Sequence, residues 1–138
     1  RELCAAEGGG PFRSTADEGE RRRLWKARHD AYWTARGLAP GREAFVTDAC
    51  VPISRLGACI ADAQAAAARS GLPCPIVGHV GDGNFHALVL YDAADPGERA
   101  RAEAFVDAVA RAALAHGGTC TGEHGIGLHK LDLLRAEH

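Results

Sequence analysis

Two histidines, His79 and His86, flank the glycine-rich segment Gly81-Asp82-Gly83 and lie seven residues apart. In an uninterrupted strand, an odd separation would direct the two side chains to opposite faces. Asp-Gly is a favoured loop for a two-residue hairpin of type I′, because both central positions need positive φ. The sequence therefore predicts a hairpin with Asp82-Gly83 as its loop, in which His79 lies directly opposite His86 with Cβ atoms about 4.5–5.5 Å apart. A longer loop would change this register but could still bring the two imidazoles together.

Two imidazoles arranged in this way could bind one metal ion, each at a nitrogen–metal distance of about 2.0–2.1 Å. A catalytic zinc-type site usually has three protein ligands and an open position, so a further ligand is needed. The segment GEHGIG (122–127) places Glu123 beside His124 between glycines. Neighbouring side chains point in different directions, so Glu123 could bind the metal while His124 faces a substrate. The alternative is a glycine-rich loop with an exposed acid and an exposed histidine, and the spacing alone leaves both interpretations open.

The elements that must position these residues follow from hydrophobic spacing and from the positions of glycine and proline. We predict, in chain order, a helix over 17–37, a strand over 44–51, a helix over 53–70, two hairpin strands over 75–80 and 84–91, a helix between Asp95-Pro96 and Gly117-Gly118, and a short strand over 119–121. The face of the hairpin opposite the histidines would form the core, with Ile76, Val80, Phe85 and Val89. This order indicates an α+β fold of ferredoxin-like type, in which helices pack on one face of an antiparallel sheet.

Length and composition exclude several classes of protein. The 138 residues suffice for one compact domain, and a net charge of −2 argues against a nucleic-acid-binding surface. No run approaches the length of about 20 apolar residues that a membrane helix needs, and nothing at the N-terminus resembles a signal peptide. The five cysteines include no CxxC pair, which favours reduced thiols in a cytoplasmic setting. The chain has no Met and stops within a helix-like segment, so we expect a fragment of a longer polypeptide.

Three segments of the sequence resemble those of FAD-linked oxidases of the vanillyl-alcohol-oxidase superfamily: VTDACVPISRL (46–56), GHVGDGNFHALV (78–89) and GTCTGEHGIG (118–127). The nearest branch is the group of D-lactate dehydrogenase (cytochrome) and the glycolate oxidase FAD subunit, with D-2-hydroxyglutarate dehydrogenase close to it. The resemblance extends from about Trp25 onward, and three motifs in the same order are more specific than any one of them. It implies that residues 1–138 are part of a C-terminal substrate or cap domain, and that an N-terminal domain outside this chain holds most of the FAD.

The resemblance also implies roles for individual residues. In relatives, the histidines of the second segment and the glutamate of the third bind a divalent metal such as Zn, Mn or Fe. The corresponding ligands here are His79, His86 and Glu123. The histidine of GEHG is the proposed catalytic base, which implies His124, and the arginine of a W-x-x-R helix binds the substrate carboxylate, which implies Arg28.

Other positions in the matching segments receive less specific assignments. Asn84 is assigned to cofactor binding, with closure of the turn as the alternative, and Asp48 is assigned a structural role. Relatives usually read GIGxGK, whereas His129 stands here in place of a glycine, which leaves the following turn and the role of Lys130 open. Leu88 stands where the hydroxyglutarate branch tends to have a polar residue, which favours a substrate with a small, apolar side chain.

The implied activity is the metal-assisted oxidation of a D-2-hydroxy acid, of D-lactate or glycolate type, to the 2-oxo acid. The electron acceptor would be a cytochrome, a quinone or a flavoprotein, and the location cytoplasmic or peripheral to the inner membrane. The residues alone support a metal-dependent hydrolase equally well. A third possibility is that the isolated chain is an α+β module without activity, since the flavin-binding partner domain is expected elsewhere.

Overall fold

The computed structural model describes residues 1–12 and 14–138, and these divide into two compact units, Arg1–Ala31 and Tyr32–His138. The N-terminal unit contains α1 (Glu2–Ala6) and α2 (Glu18–His29). The side chain of Asp17 caps α2 by accepting a hydrogen bond from the backbone N–H of Glu20 at 2.7 Å. A short helix, α3 (Ala31–Gly37), begins at the boundary between the units.

The single helix predicted over 17–37 is therefore wrong in one respect. The backbone of Asp30, with φ −81° and ψ 1°, leaves the helical region, so that α2 ends at His29 and α3 begins at Ala31. The start of the helical segment near residue 17 and its end at Gly37 agree with the prediction.

A four-stranded antiparallel sheet forms the centre of the second unit, with strands β1 (Glu43–Val46), β2 (Ala49–Cys50), β3 (Ile76–His79) and β4 (Asn84–Tyr91). The long strand β4 is central, with β1 and β2 along one edge and β3 along the other. The short strand predicted over 119–121 is reduced to an isolated bridge between Thr119 and Cys50, which lies beside β2. If β1 and β2 are counted as one strand and the bridge at Thr119 as the last, the unit has the β-α-β-β-α-β order of ferredoxin-like domains. The antiparallel sheet with its helices confirms the predicted α+β fold.

Strands β1 and β2 are two parts of one interrupted strand. Val46 lies opposite Leu88 and Ala49 lies opposite Phe85, so both strands keep the same register against β4. Between them, Thr47 donates its N–H to the carbonyl of Ala87 at 2.9 Å and accepts from the Ala87 N–H through its hydroxyl at 2.8 Å. The predicted strand over 44–51 is thus correct in position but divided, because a side-chain oxygen replaces a backbone carbonyl at Thr47.

The sheet is covered on one face by α4 (Ile53–Ser70) and α5 (Pro96–Ala115), while α6 (Leu131–Glu137) follows near the C-terminus. The bounds of α4 are those predicted, and the left-handed Gly71 ends the helix at φ 66°. The side chain of Asp95 caps α5 by accepting from the N–H groups of Gly97 and Glu98. The core between sheet and helices includes Phe85, Ala87 and Val89 of β4 with Ala63, Phe105 and Val109 of the helices. Odd-numbered residues of β4 therefore face the helices, and even-numbered residues face away from them.

The predicted two-residue hairpin loop is wrong. In the structure His79 pairs with Asn84, and Val77 pairs with His86, so the register is shifted by two residues. The loop is a 3₁₀ turn over Val80–Asp82 followed by Gly83, and it is anchored by a 2.9 Å hydrogen bond from the Val51 N–H to the Gly83 carbonyl. A shift of two preserves the alternation of faces, so the two histidines remain on one face as diagonal neighbours.

The longer loop also changes the predicted core. Ile76, Phe85 and Val89 belong to the core or pack against it, as predicted. Val80 does not, because it lies in the 3₁₀ turn and is 58% exposed.

Gly83 gives a test of this loop, because its φ is 76° and a Cβ atom there would lie 2.1 Å from the Val51 carbonyl oxygen. We expect Gly83→Ala to lower the free energy of unfolding by about 2 kcal/mol or more, from left-handed strain and the clash together. Gly81→Ala is the matched control, since a Cβ atom there would meet no atom within 4 Å. Urea denaturation followed by circular dichroism should show the control within about 0.5 kcal/mol of wild type. Equal losses in the two variants would contradict the observed turn.

Candidate metal centre

Three predicted ligands converge on the face of the sheet opposite the helices. The Oε1 atom of Glu123 lies 3.0 Å from Nε2 of His86 and 3.7 Å from Nε2 of His79. One nitrogen or oxygen atom from each of the three side chains lies within 4.8 Å of those of the other two. The His86 side chain is 8% exposed, whereas those of His79 and Glu123 are 44% and 48% exposed. The cluster therefore has one buried member and two that water or a substrate can reach.

The His86 ring is oriented by a backbone carbonyl. Its Nδ1 atom lies 3.0 Å from the carbonyl oxygen of Thr47. Because a carbonyl oxygen can only accept, Nδ1 carries the hydrogen, and in the neutral ring Nε2 presents a lone pair to Glu123. Two acceptor atoms 3.0 Å apart need a cation between them, either a proton on Nε2 or a metal ion. The donor set of two imidazoles and one carboxylate therefore fits a divalent metal.

His124 faces the same carboxylate from another side. Its Nε2 atom lies 3.6 Å from Oε1 of Glu123, and its ring centroid lies 5.4 Å from that of His86. The side chain is 62% exposed. The predicted base thus lies beside the predicted ligands, with its ring open to a molecule bound at the cluster.

A buried carboxylate holds the turn that carries Glu123 and His124. The Oδ2 atom of Asp48 accepts hydrogen bonds from the backbone N–H groups of both residues, each at 2.9 Å, and from the Thr121 hydroxyl at 3.3 Å. Its Oδ1 atom accepts from the side-chain amide of Asn84 at 3.0 Å. The Asp48 side chain is only 2% exposed. The predicted structural role of Asp48 did not include this contact with the residues of the site. The sequence does contain a signal for it: Asp48 is an acid within the apolar run AFVTDACV, and a buried charge needs hydrogen-bond partners.

Asp48 is charged at neutral pH. Burial alone would raise the pKa of this carboxyl group. The backbone N–H groups of His124 and Glu123, the Asn84 amide and the charge of Lys130 outweigh burial and lower the pKa to about 2.

The family model of FAD linked oxidases, C-terminal domain, matches residues 1–138. The chain belongs to this family. A probable mitochondrial D-lactate dehydrogenase of Danio rerio is 52% identical over 136 residues, which are 99% of this chain and 27% of that protein. The mitochondrial D-lactate dehydrogenase [cytochrome] of Arabidopsis thaliana is 36% identical over 137 residues, 99% of this chain and 24% of that protein. The glycolate oxidase subunit GlcD of Escherichia coli (strain K12) is 33% identical over 136 residues, 99% of this chain and 27% of that protein.

These comparisons confirm the resemblance seen in the three motifs. The chain spans about a quarter of the length of the three relatives. Among the residues that the structure describes, none of the helices combines the length and the apolar character needed to cross a membrane. The five cysteines form no disulfide among the described residues. The predicted location, cytoplasmic or peripheral to the inner membrane, stays a prediction.

Two further site residues of this FAD-linked oxidase domain stay predictions. Arg28 lies on α2 in the N-terminal unit and is partly buried. Asn84 is buried beneath the cluster, and its side-chain amide donates to Asp48 and to the carbonyl of Ala49. The Oδ1 atom of Asn84 has no hydrogen-bond partner among the described residues. Asn84 therefore helps to hold Asp48, which in turn holds the turn with Glu123. The assignment of Asn84 to cofactor binding stays a prediction.

The departure at His129 does not disturb the backbone. Its φ is negative, so the position does not require the glycine found in relatives. Lys130 donates from Nζ to the carbonyl of Cys120 at 2.6 Å, which fixes the segment after the GEHG turn.

A second group of possible ligands, Asp48, His86 and His124, also has donor atoms within 4.8 Å of one another. In this group both oxygens of Asp48 already accept hydrogen bonds, and Nδ1 of His86 is directed at the Thr47 carbonyl. The group of His79, His86 and Glu123 would therefore fit a metal ion better, because it offers Nε2 of His86 rather than Nδ1.

The low pKa of Asp48 predicts a pH dependence of stability in the metal-free protein. The pKa is about 2 in the folded state against a reference value of 3.8, so the charged carboxylate stabilises the fold fully above about pH 4. That stabilisation, about 2 kcal/mol, is lost as the pH falls through the folded-state value. Urea unfolding at several pH values between about 5 and 2 should show a steeper decline for wild type than for Asp48→Asn, which lacks the titrating group. Parallel profiles would contradict the assignment.

Proposed function

We propose that this chain is the substrate-side part of an FAD-dependent dehydrogenase that oxidises a D-2-hydroxy acid, of D-lactate or glycolate type, to the 2-oxo acid. The observation that carries the proposal is the convergence of His79, His86 and His124 on the Glu123 carboxylate, in a member of the FAD linked oxidase family. The names of the relatives, D-lactate dehydrogenase and glycolate oxidase subunit, supply the substrate class. FAD would be held mostly by an N-terminal domain outside this chain.

The donor set would hold a divalent Zn, Mn or Fe ion through His79, His86 and Glu123. When bound, such an ion supplies a Lewis acid that stabilises negative charge on a substrate oxygen. The residues of the chain prepare that site in advance. The Thr47 carbonyl fixes the His86 ring, and Asp48 fixes the backbone of Glu123, so that little rearrangement is needed on binding.

His124 is suited to take the hydroxyl proton of the substrate. An alcohol is a poor acid, and imidazole is the side chain whose ordinary pKa allows it to accept a proton near neutral pH. Its ring is exposed beside the cluster, and its backbone N–H donates to Asp48. When bound, the flavin would supply the redox chemistry that accepts the hydrogen at C2 of the substrate as a hydride.

Two other residues would set the choice of substrate. Arg28 would bind the substrate carboxylate through a bidentate contact, which also orients C2. Leu88 lies two residues after His86 on the same face of β4 and is 1% exposed. An apolar side chain at this position favours lactate or glycolate over a dicarboxylate, because a second substrate carboxylate would be buried there without a partner. The acceptor would be a cytochrome, with a quinone or a flavoprotein as alternatives.

Metal binding gives the first test. We expect the untagged chain, freed of metal by chelation, to bind about one equivalent of Zn²⁺ or Mn²⁺, because three ligands suffice for an open site. His79→Ala and Glu123→Gln should each weaken the affinity at least about tenfold. His129→Ala is the control, since this exposed histidine lies outside the cluster. Titration calorimetry that shows equal affinities in all four proteins would contradict the metal centre.

The role of His124 gives the second test, in the complete enzyme with its flavin. His124→Ala should keep the flavin absorbance of wild type and lower kcat for D-lactate by about 10²–10⁴-fold, since the proton acceptor is lost. Anaerobic bleaching of the flavin by D-lactate measures the reductive step directly. Normal turnover by the variant would contradict the assignment. A complete protein that lacks flavin and hydrolyses esters or amides would instead favour the hydrolase alternative.

A further inference from the structure

The interruption between β1 and β2 lies at the point where the sheet meets the metal centre. Thr47 and Asp48 form this interruption, and both side chains are buried, with 1% and 4% of the residue exposed. Resting on the proposed function, we propose that these two residues position the centre: Thr47 holds the ligand His86, and Asp48 holds the turn that carries Glu123 and His124. They are positioning residues, since neither is assigned to bind the metal or the substrate.

In a regular antiparallel ladder, the residues that face each other in a hydrogen-bonded pair exchange two N–H···O=C bonds. Thr47 and Ala87 make only the first of these, from the Thr47 N–H to the Ala87 carbonyl at 2.9 Å. The Ala87 N–H is instead satisfied by the Thr47 hydroxyl at 2.8 Å. The hydroxyl therefore releases the Thr47 carbonyl from the ladder without leaving a buried N–H unpaired.

The released carbonyl accepts from Nδ1 of His86 at 3.0 Å. This contact selects the tautomer with hydrogen on Nδ1 and leaves the lone pair of Nε2 directed at Glu123, 3.0 Å away. Metal-binding histidines are commonly oriented by such a carbonyl, which also raises their basicity. The hydroxyl of Thr47 therefore couples the pairing of the strands to the tautomer of the His86 ring.

Asp48 acts on the other half of the centre. It lies directly opposite His86 in the register shared by β1 and β2, so its side chain is on the same face of the sheet as the cluster. The N–H groups of Glu123 and His124 both donate to its Oδ2 atom, which fixes two consecutive residues of the turn. A single carboxylate thereby sets the positions of one ligand and of the base.

Gly122 supplies independent support, because the turn approaches this carboxylate too closely for a side chain. A Cβ atom at Gly122 would lie 2.1 Å from the Asn84 amide nitrogen and 2.9 Å from Oδ1 of Asp48. The Asn84 amide in turn donates to Oδ1 of Asp48 and holds the carboxylate in place. The close approach is what brings Glu123 within reach of the two histidines on the sheet.

The test uses the 138-residue chain, with Zn²⁺ alone as the probe. Thr47→Val keeps the shape but removes the hydroxyl, so the Ala87 N–H should reclaim the backbone carbonyl of position 47. We expect the His86 ring to lose its Nδ1–H tautomer, as measured by long-range ¹H–¹⁵N spectra of the metal-free protein at about pH 8, where a typical imidazole is neutral. Competition with a chromophoric chelator should show a Zn²⁺ affinity lowered by about 10- to 100-fold. Thr47→Ser restores the hydroxyl and should recover both properties.

Asp48→Asn should lower the Zn²⁺ affinity by a similar factor of about 10 to 100 while the His86 tautomer stays as in wild type. Phe105→Leu, in the helix layer, is the control for a loss of stability alone and should change neither measurement. The proposal is overturned if Thr47→Val and Asp48→Asn bind Zn²⁺ as wild type does, or if Phe105→Leu weakens binding equally.

Failure of the proposed function would be recognised separately. If wild type binds no Zn²⁺, the metal centre fails, and the His86 tautomer still decides the positioning role of Thr47. A wild-type ring with hydrogen on Nδ1 that loses it only in Thr47→Val supports that role, and an unchanged ring overturns it.

Discussion

The carboxylate of Asp48 accepts hydrogen bonds from the backbone of Glu123 and His124, which lie 75 and 76 residues further along the chain. Burial of a charge is costly unless hydrogen bonds compensate for it, and Asp48 receives them from two backbone N–H groups, a hydroxyl and an amide. The sheet brings His79 and His86 together by strand pairing alone. The turn with Glu123 is held by the bridge between Cys50 and Thr119 on its N-terminal side, but the backbone of Glu123 and His124 themselves is held by Asp48.

Much of the fold follows from local sequence signals, and α4 shows why. Its apolar residues recur at helical spacing and Gly71 provides a left-handed end, so the bounds from Ile53 to Ser70 agree with the prediction. The hairpin shows where such signals fail. Asp82-Gly83 favours a two-residue loop by itself, but a hydrogen bond from Val51, a residue more than 30 positions earlier, anchors Gly83 in a longer turn. The preference of a short segment is thus overridden by a contact that the segment does not encode.

The residues of the candidate site differ in how far their positions could be predicted from the sequence. The alternation of side chains survives a register error of two, which is why His79 and His86 meet even though the predicted pairing is wrong. The residues alone made Glu123 a possible third ligand but left an exposed loop as the alternative, and the family resemblance favoured the ligand. Thr47 and Asp48 act through their alignment against His86 and Ala87, a long-range register that no local pattern specifies.

The unequal exposure of the three ligands has a consequence for exchange with the solvent. His86 is buried and held by the sheet, whereas His79 and Glu123 reach the cluster from the surface. If the proposed ion is bound here, water would reach it from the side of His79 and Glu123, whereas His86 would hold it from the sheet. Since the hydrophobic core lies on the other face of the sheet, exchange of the ion with the solvent would require no opening of the domain. The proposed ion could therefore exchange with other divalent ions in the solvent while the fold of the domain stays unchanged.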